Sequence, residues 1–138
     1  MTRFSLTLAS VLLAAGTSLA QAEMLTFKAE LAPASEVPPA ADSKGSGMAT
    51  VMVDTETKKL TWEVTSKDLT GAATAAHIHG PAAVGENAGP MIDISASIEE
   101  GSADVTDAQL TELQAGRTYI NVHTEKYPGG EIRGQLMK

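Results

Sequence analysis

Three histidines carry most of the chemistry available to this sequence, two of them separated by one residue in His77-Ile78-His79 and the third, His123, far downstream. A neutral imidazole offers one lone pair to a transition metal and one N–H to an orienting acceptor. In an extended strand side chains alternate between faces, so His77 and His79 point the same way and Ile78 the other. The segment Tyr119–Thr124 has the same period: Ile120 and Val122 form its apolar set, and His123 shares the outward face with Tyr119 and Asn121. If the two strands are neighbours, three imidazoles converge on one spot. Three nitrogen donors with an open fourth position suit copper or zinc. The His-x-His pair alone is a weak signal and is more simply read as solvated or hydrogen-bonded histidines. The equivalent face of His123 is what favours a ligand set of His77, His79 and His123.

The end of the chain offers supporting groups. Glu131, Arg133, Gln135 and Met137 occupy one face of a final strand, opposite Ile132 and Leu136. Cross-strand partners must share a face, which predicts Glu131 opposite His123 and Arg133 opposite Asn121. Asn121, Glu131 and Arg133 are therefore the expected supports around the ligands, since a carboxylate beside an imidazole fixes its orientation. An ordinary ion pair of Glu131 with Arg133 or Lys126 explains the same residues. Met48, Met52 and Met137 are possible soft ligands for copper, although methionines more often fill gaps or lie on surfaces. Asp93 and Glu86 could complete a coordination sphere, but no spacing singles them out. Gly85–Pro90 has no phosphate-cradle pattern, and no serine sits in a recognisable elbow. The residues point to binding rather than to catalysis.

The positioning elements are mostly strands. Leu25, Phe27, Ala29 and Leu31 alternate with Thr26, Lys28 and Glu30. Residues 48–66 read as a hairpin, with Ala49, Val51 and Val53 on one arm, Leu60, Trp62 and Val64 on the other, and a polar turn at Asp54–Lys58. Pro33–Ser46 is an expected loop. Further strands are predicted at Thr74–His79, Met91–Ala96, Thr118–Thr124 and Glu131–Met137. Thr106 followed by Gln109 is a capping box, Val105 and Leu110 can form a staple, and Gly116 sits where a helix would end. These predict one helix, Asp107–Ala115, packing Leu110 and Leu113 inward. Seven antiparallel strands and one short helix indicate an all-β sandwich or Greek-key barrel, immunoglobulin-like or copper/zinc-superoxide-dismutase-like.

Composition bounds the rest. Arg3 precedes an apolar run, Phe4–Leu19, closing on Ala20-Gln21-Ala22, the small-x-small pattern of a cleavage site. Residues 1–22 are expected to be a signal peptide, with a retained anchor as the alternative, and residues 23–138 a single domain in the periplasm or outside the cell. The formal net charge is −7, and loss of Arg3 makes the chain more acidic still. Nucleic acid and anionic membrane surfaces are thus unexpected partners. The chain has no cysteine, which removes disulfides and thiolate ligands alike.

Ala76-His77-Ile78-His79-Gly80-Pro81-Ala82, the helix region Asp107–Gly116, Tyr119-Ile120-Asn121-Val122-His123-Thr124 and Pro128-Gly129-Gly130-Glu131-Ile132-Arg133-Gly134-Gln135-Leu136 occur in an order that resembles the CHRD (chordin) domain family. The resemblance spans about Leu25–Met137. It implies an extracytoplasmic β fold, as in chordin and in stand-alone secreted bacterial proteins, without implying one activity. Chordin's cysteine-rich modules have no counterpart here, so growth-factor binding does not transfer. The histidine placement is also similar to copper/zinc superoxide dismutases, but those surround copper with four histidines and this chain has three. Three functions remain open at this point: metal sequestration or delivery, a protein- or glycan-interaction module with incidental histidines, and a redox enzyme at the same site.

Overall fold

The computed structural model describes residues 21–138, so the expected signal peptide lies outside the described residues except for its last two positions. Strands β1 (Met24–Leu31), β2 (Ser46–Asp54), β3 (Lys59–Lys67) and β6 (Glu100–Asp104) form one antiparallel sheet in the order β1-β2-β3-β6. Strands β4 (Ala73–His79), β5 (Pro90–Asp93), β7 (Tyr119–Thr124) and β8 (Ile132–Gln135) form the second, in the order β5-β4-β7-β8. The helix α1 (Asp107–Gln114) links β6 to β7. The two sheets make a β-sandwich. No described helix is long and apolar enough to cross a membrane.

The first sheet follows from its alternation. Leu25, Phe27 and Ala29 stand opposite Val53, Val51 and Ala49, which in turn face Leu60, Trp62 and Val64. All nine are buried, so one face of three strands is a continuous apolar ladder. Phe27, Val51, Val53 and Leu60 are wholly inaccessible, and they pack onto Ile78, Ile120, Val122 and Ile132 of the second sheet. Where β1 meets the end of the chain the sandwich is stitched. Lys28 and Met137 exchange both backbone hydrogen bonds, and so do Ala32 and Arg133. The other flank, β6 and β5, has no such pairing among the described residues. The structure is therefore a sandwich with one closed seam and not a closed barrel.

The predicted hairpin forms as β2 and β3. Asp54 accepts from the Glu56 and Thr57 backbone N–H groups at 2.8 and 3.0 Å, which pins the turn. These bonds hold its carboxyl below the usual aspartate range. The helix has the expected cap: Thr106 accepts from Gln109 N at 3.1 Å, and the Gln109 side chain accepts from Thr106 N at 2.9 Å. It ends one residue earlier than predicted, at Gln114, with Gly116 at φ +68° behind it. Val105, Leu110 and Leu113 are all in the core.

One strand escapes the period-two pattern. β6, Glu-Gly-Ser-Ala-Asp, has no apolar alternation because it lies at a sheet edge and contributes only Ala103 to the core. Gly101 stands opposite Trp62, and a Cβ there would press into the indole ring. Absence of a side chain lets this strand lie across the tryptophan, whose Nε1 donates to Ser97 O at 2.9 Å. A Gly101→Val substitution is expected to cost about 2 kcal/mol by overpacking. Urea denaturation followed by emission of the single tryptophan checks this; an unchanged midpoint would mean β6 shifts freely off the ring.

Candidate metal site

Strands β4 and β7 are direct neighbours. Their register sets His79 opposite Tyr119, His77 opposite Asn121 and Ala75 opposite His123. Since Ile78, Ile120 and Val122 turn into the core, the residues between them share the other face. His77 and His123 are diagonal neighbours, and His79 is two residues along. One nitrogen from each of the three rings lies within 4.8 Å of the others. Donors set tetrahedrally around one ion by bonds of about 2.1 Å lie about 3.4 Å apart. Ring movements that shorten the widest separation, 4.8 Å, by about 1.4 Å would close the group around a cation in that geometry.

The outer nitrogens of the rings are oriented by oxygen atoms. His123 Nδ1 lies 2.9 Å from Pro128 O, and His79 Nδ1 lies 2.9 Å from Ala88 O. Carbonyl oxygens only accept, so each of these rings carries its proton at Nδ1 and turns a bare Nε2 inward. His77 Nε2 is 3.7 Å from Asp93 Oδ1, within ion-pair reach. Its Nδ1 faces His123 Nε2 at 3.0 Å. His79 Nε2 faces Asn121 Oδ1 at the same separation, 3.0 Å. Burial lowers the pKa of both His79 and His123 from the ordinary imidazole value, even though the carbonyl bonds act to raise it. Both rings are therefore neutral at pH 7, the form that binds metal.

The expected outward face is roofed over. His79 and His123 are each 8 % exposed, Asn121 and Arg133 2 %. The reason is the loop between β4 and β5, residues 80–89, which folds back across the sheet. Arg133 donates to Asn87 Oδ1 at 2.8 Å and to the Glu86 carbonyl, while Asn87 Nδ2 donates to Val37 O at 2.9 Å. The Tyr119 hydroxyl donates to Ala88 O at 3.1 Å and accepts from Ala88 N at 3.2 Å. The guanidinium of Arg133 lies 3.4 Å above the Tyr119 ring, and Tyr119 stacks on His79 with centroids 4.7 Å apart and planes 3° from parallel. Arg133 thus supports His79 through Tyr119 and the loop, opposite Asn121 as the register predicted. His77 is the ring nearest to solvent.

Glu131 departs from its expected place. It stands at a bend directly after Gly130, whose φ of +127° takes the chain out of the strand pleat. Its carboxylate accepts from Ser43 Oγ at 2.6 Å, Thr70 N at 2.8 Å, Thr70 Oγ1 at 2.7 Å and Thr124 Oγ1 at 2.6 Å. Thr124 alternates with His123, so these bonds turn Glu131 away from the imidazoles. Burial acts to raise its pKa, but the hydrogen bonds together outweigh this and hold it below the usual value. It joins two loops to β7 instead of orienting a ligand, and it pairs with neither Arg133 nor Lys126. Met48, Met52 and Met137 are surface residues, 45, 36 and 53 % exposed. Glu86 meets the site only through its backbone, whereas Asp93 stands beside His77.

The profile of the CHRD domain family matches residues 27–136. The chain belongs to the CHRD domain family. No curated protein and no solved structure matches it. In this CHRD domain the matched span contains all three histidines and every residue of their surroundings named above.

Sequence reasoning missed Glu36, which lies on the loop after β1 and is 5 % exposed. Its Oε1 has no hydrogen-bond partner among the described residues. A Cβ on Gly130 would collide with both the Glu36 carboxyl and the Asn121 amide, so the glycine makes room for their approach. Nothing in Ala34-Ser35-Glu36-Val37 marks the residue as buried; only the fold of the loop does so. Burial raises its pKa from 4.5 to about 7, against the lowering influence of the Asn121 amide, Arg133 and the Val37 backbone. The folded protein therefore holds a proton that the unfolded chain releases near pH 4.5. This contribution to stability is complete below that pH and is lost as pH rises through about 7. Glu36→Gln is expected to raise stability at pH 8 by on the order of 2 kcal/mol and to leave it unchanged at pH 4. Urea midpoints at the two pH values measure the difference; equal effects at both would show that Glu36 ionisation carries no cost.

Proposed function

We propose that this CHRD domain is an exported metal-binding protein that holds copper, with zinc as the alternative, through His77, His79 and His123, for sequestration or delivery in the periplasm or outside the cell. The observation that supports it most is the proton inventory of the rings. His79 and His123 commit their N–H groups to fixed carbonyls, Asp93 stands ready for that of His77, and the remaining nitrogens turn toward one another. Oxygen acceptors on the far nitrogen are the usual surroundings of ligating imidazoles. Copper is favoured because an all-nitrogen divalent site binds it above zinc in the Irving–Williams series, and no thiolate is present to shift the preference. Export rests on the leader pattern of residues 1–22.

A titration with Cu(I), Cu(II) and Zn(II), run beside the combined His77→Ala, His79→Ala and His123→Ala variant, tests the site. The wild type is expected to bind one ion tightly and the variant to lose it. Equal or negligible binding by both would leave a protein- or glycan-interaction module as the working function. Superoxide or peroxide turnover by the metal-loaded protein would instead indicate a redox enzyme.

Proton competition gives an independent check. Burial keeps His79 and His123 neutral below the ordinary imidazole value of 6.5. Affinity is therefore expected to be nearly constant from pH 8 to 7 and to fall once the pH drops below roughly 6.5. A flat profile from pH 8 to 5 would exclude imidazole coordination.

A further inference from the structure

Asn121 sets up a hydrogen-bonding problem at His79. Its amide nitrogen donates to Gly129 O at 3.4 Å and lies beside the Glu36 carboxyl. Reversing the amide would set Oδ1 against Gly129 O and break that hydrogen bond, so Oδ1 is the atom that faces His79. The His79 ring then has an acceptor at each nitrogen: Ala88 O at 2.9 Å from Nδ1 and Asn121 Oδ1 at 3.0 Å from Nε2. A neutral imidazole has one proton for these two oxygens. Ala88 O also accepts from Tyr119, so it is fixed in place and cannot turn aside. Left as it stands, a buried Nε2 lone pair confronts a buried carbonyl lone pair at hydrogen-bond distance. Such a contact is repulsive unless something positive lies between them.

We infer that Asn121 Oδ1 is a fourth ligand, completing a three-histidine, one-carboxamide site for a divalent cation. The assignment rests on the metal-binding function proposed above and specifies its chemistry. Two donors 3.0 Å apart can share one ion with bonds of about 2.0–2.1 Å. Asn121 is opposite His77 on β4 and two residues from His123 on β7, so its side chain shares their face. Gly129 O aims its oxygen inward, as the Ala88 and Pro128 carbonyls aim the imidazoles. A carboxamide oxygen is a hard donor, suited to Cu(II) or Zn(II) and of little use to Cu(I). The site is therefore selective for oxidation state: it would favour the divalent ions over Cu(I).

That selectivity provides the test. Affinities for Cu(II), Zn(II) and Cu(I) are measured on the wild type and on Asn121→Ala, Asn121→Leu and Asn121→Asp, with folding verified by tryptophan emission. Leucine keeps the buried volume without a donor, and aspartate keeps an oxygen. Ala and Leu are expected to weaken Cu(II) and Zn(II) binding by about 10- to 100-fold and leave Cu(I) unchanged, while Asp restores divalent binding. An equal loss for all three ions would make Asn121 a positioning residue for His79 and overturn the assignment. So would undiminished divalent binding by the Ala and Leu variants. In either of these cases the three-histidine site itself stands, because the wild type still binds. A wild type that binds no ion removes the parent reading and this inference together.

Discussion

The antiparallel register of β4 against β7 is the constraint on which the site depends. It places His77 opposite Asn121 and His79 opposite Tyr119, with His123 diagonal to His77, and it sends Ile78, Ile120 and Val122 to the core. A one-residue slip would exchange the two sets, burying imidazoles among aliphatic side chains and exposing the isoleucines. The apolar face therefore enforces the polar one. Packing the interior of the sandwich and gathering the histidines are a single geometric event.

Around that register, the loops convert a sheet face into an enclosed site. Backbone carbonyls of Ala88 and Pro128 decide which nitrogen of each buried ring carries the proton, and hence which lone pair turns inward. Arg133 holds the Ala88 loop through Asn87 and Glu86 and stacks on Tyr119, which stacks on His79. Its own strand is bonded to Ala32 of the loop that carries Glu36. The closed seam between β1 and the chain terminus thus fixes the loops that orient the imidazoles. Burial then favours the neutral form of His79 and His123, the form that the proposed metal site requires.

The two sheets divide the work. In the first, three strands form an apolar ladder whose outer face is polar, and the methionines with a possible soft-ligand role lie exposed there or at the chain end. In the second, β7 is buried on both faces, one by the core and one by loops. Glu131 belongs to this second cover as well, since its four hydrogen bonds tie Ser43 and Thr70 to Thr124. Buried polar groups are tolerable here because nearly all have partners; Glu36 Oε1 is an exception, and its carboxyl answers by holding a proton up to about pH 7.

The sequence by itself determined the alternation: which residues of β1 to β4 and β7 enter the core, the β2–β3 hairpin, the capped helix, and the shared face of His77 and His79. These are local properties, set by a period of two or by a cap three residues long. It also carried the order of motifs by which the chain belongs to the CHRD domain family. Strand β6 was illegible because an edge strand needs no apolar face, and Gly101 acquires meaning only against Trp62. Tertiary structure alone decided that β4 and β7 are neighbours, that Glu131 turns away at a bend, and that loops roof the histidine face. It also brought Glu36 to the site from a distant loop and folded Ala88 and Pro128 back onto the histidines from the loops that follow β4 and β7. Those contacts depend on where loops return in space, and loop trajectories follow no periodicity that a linear pattern can reveal.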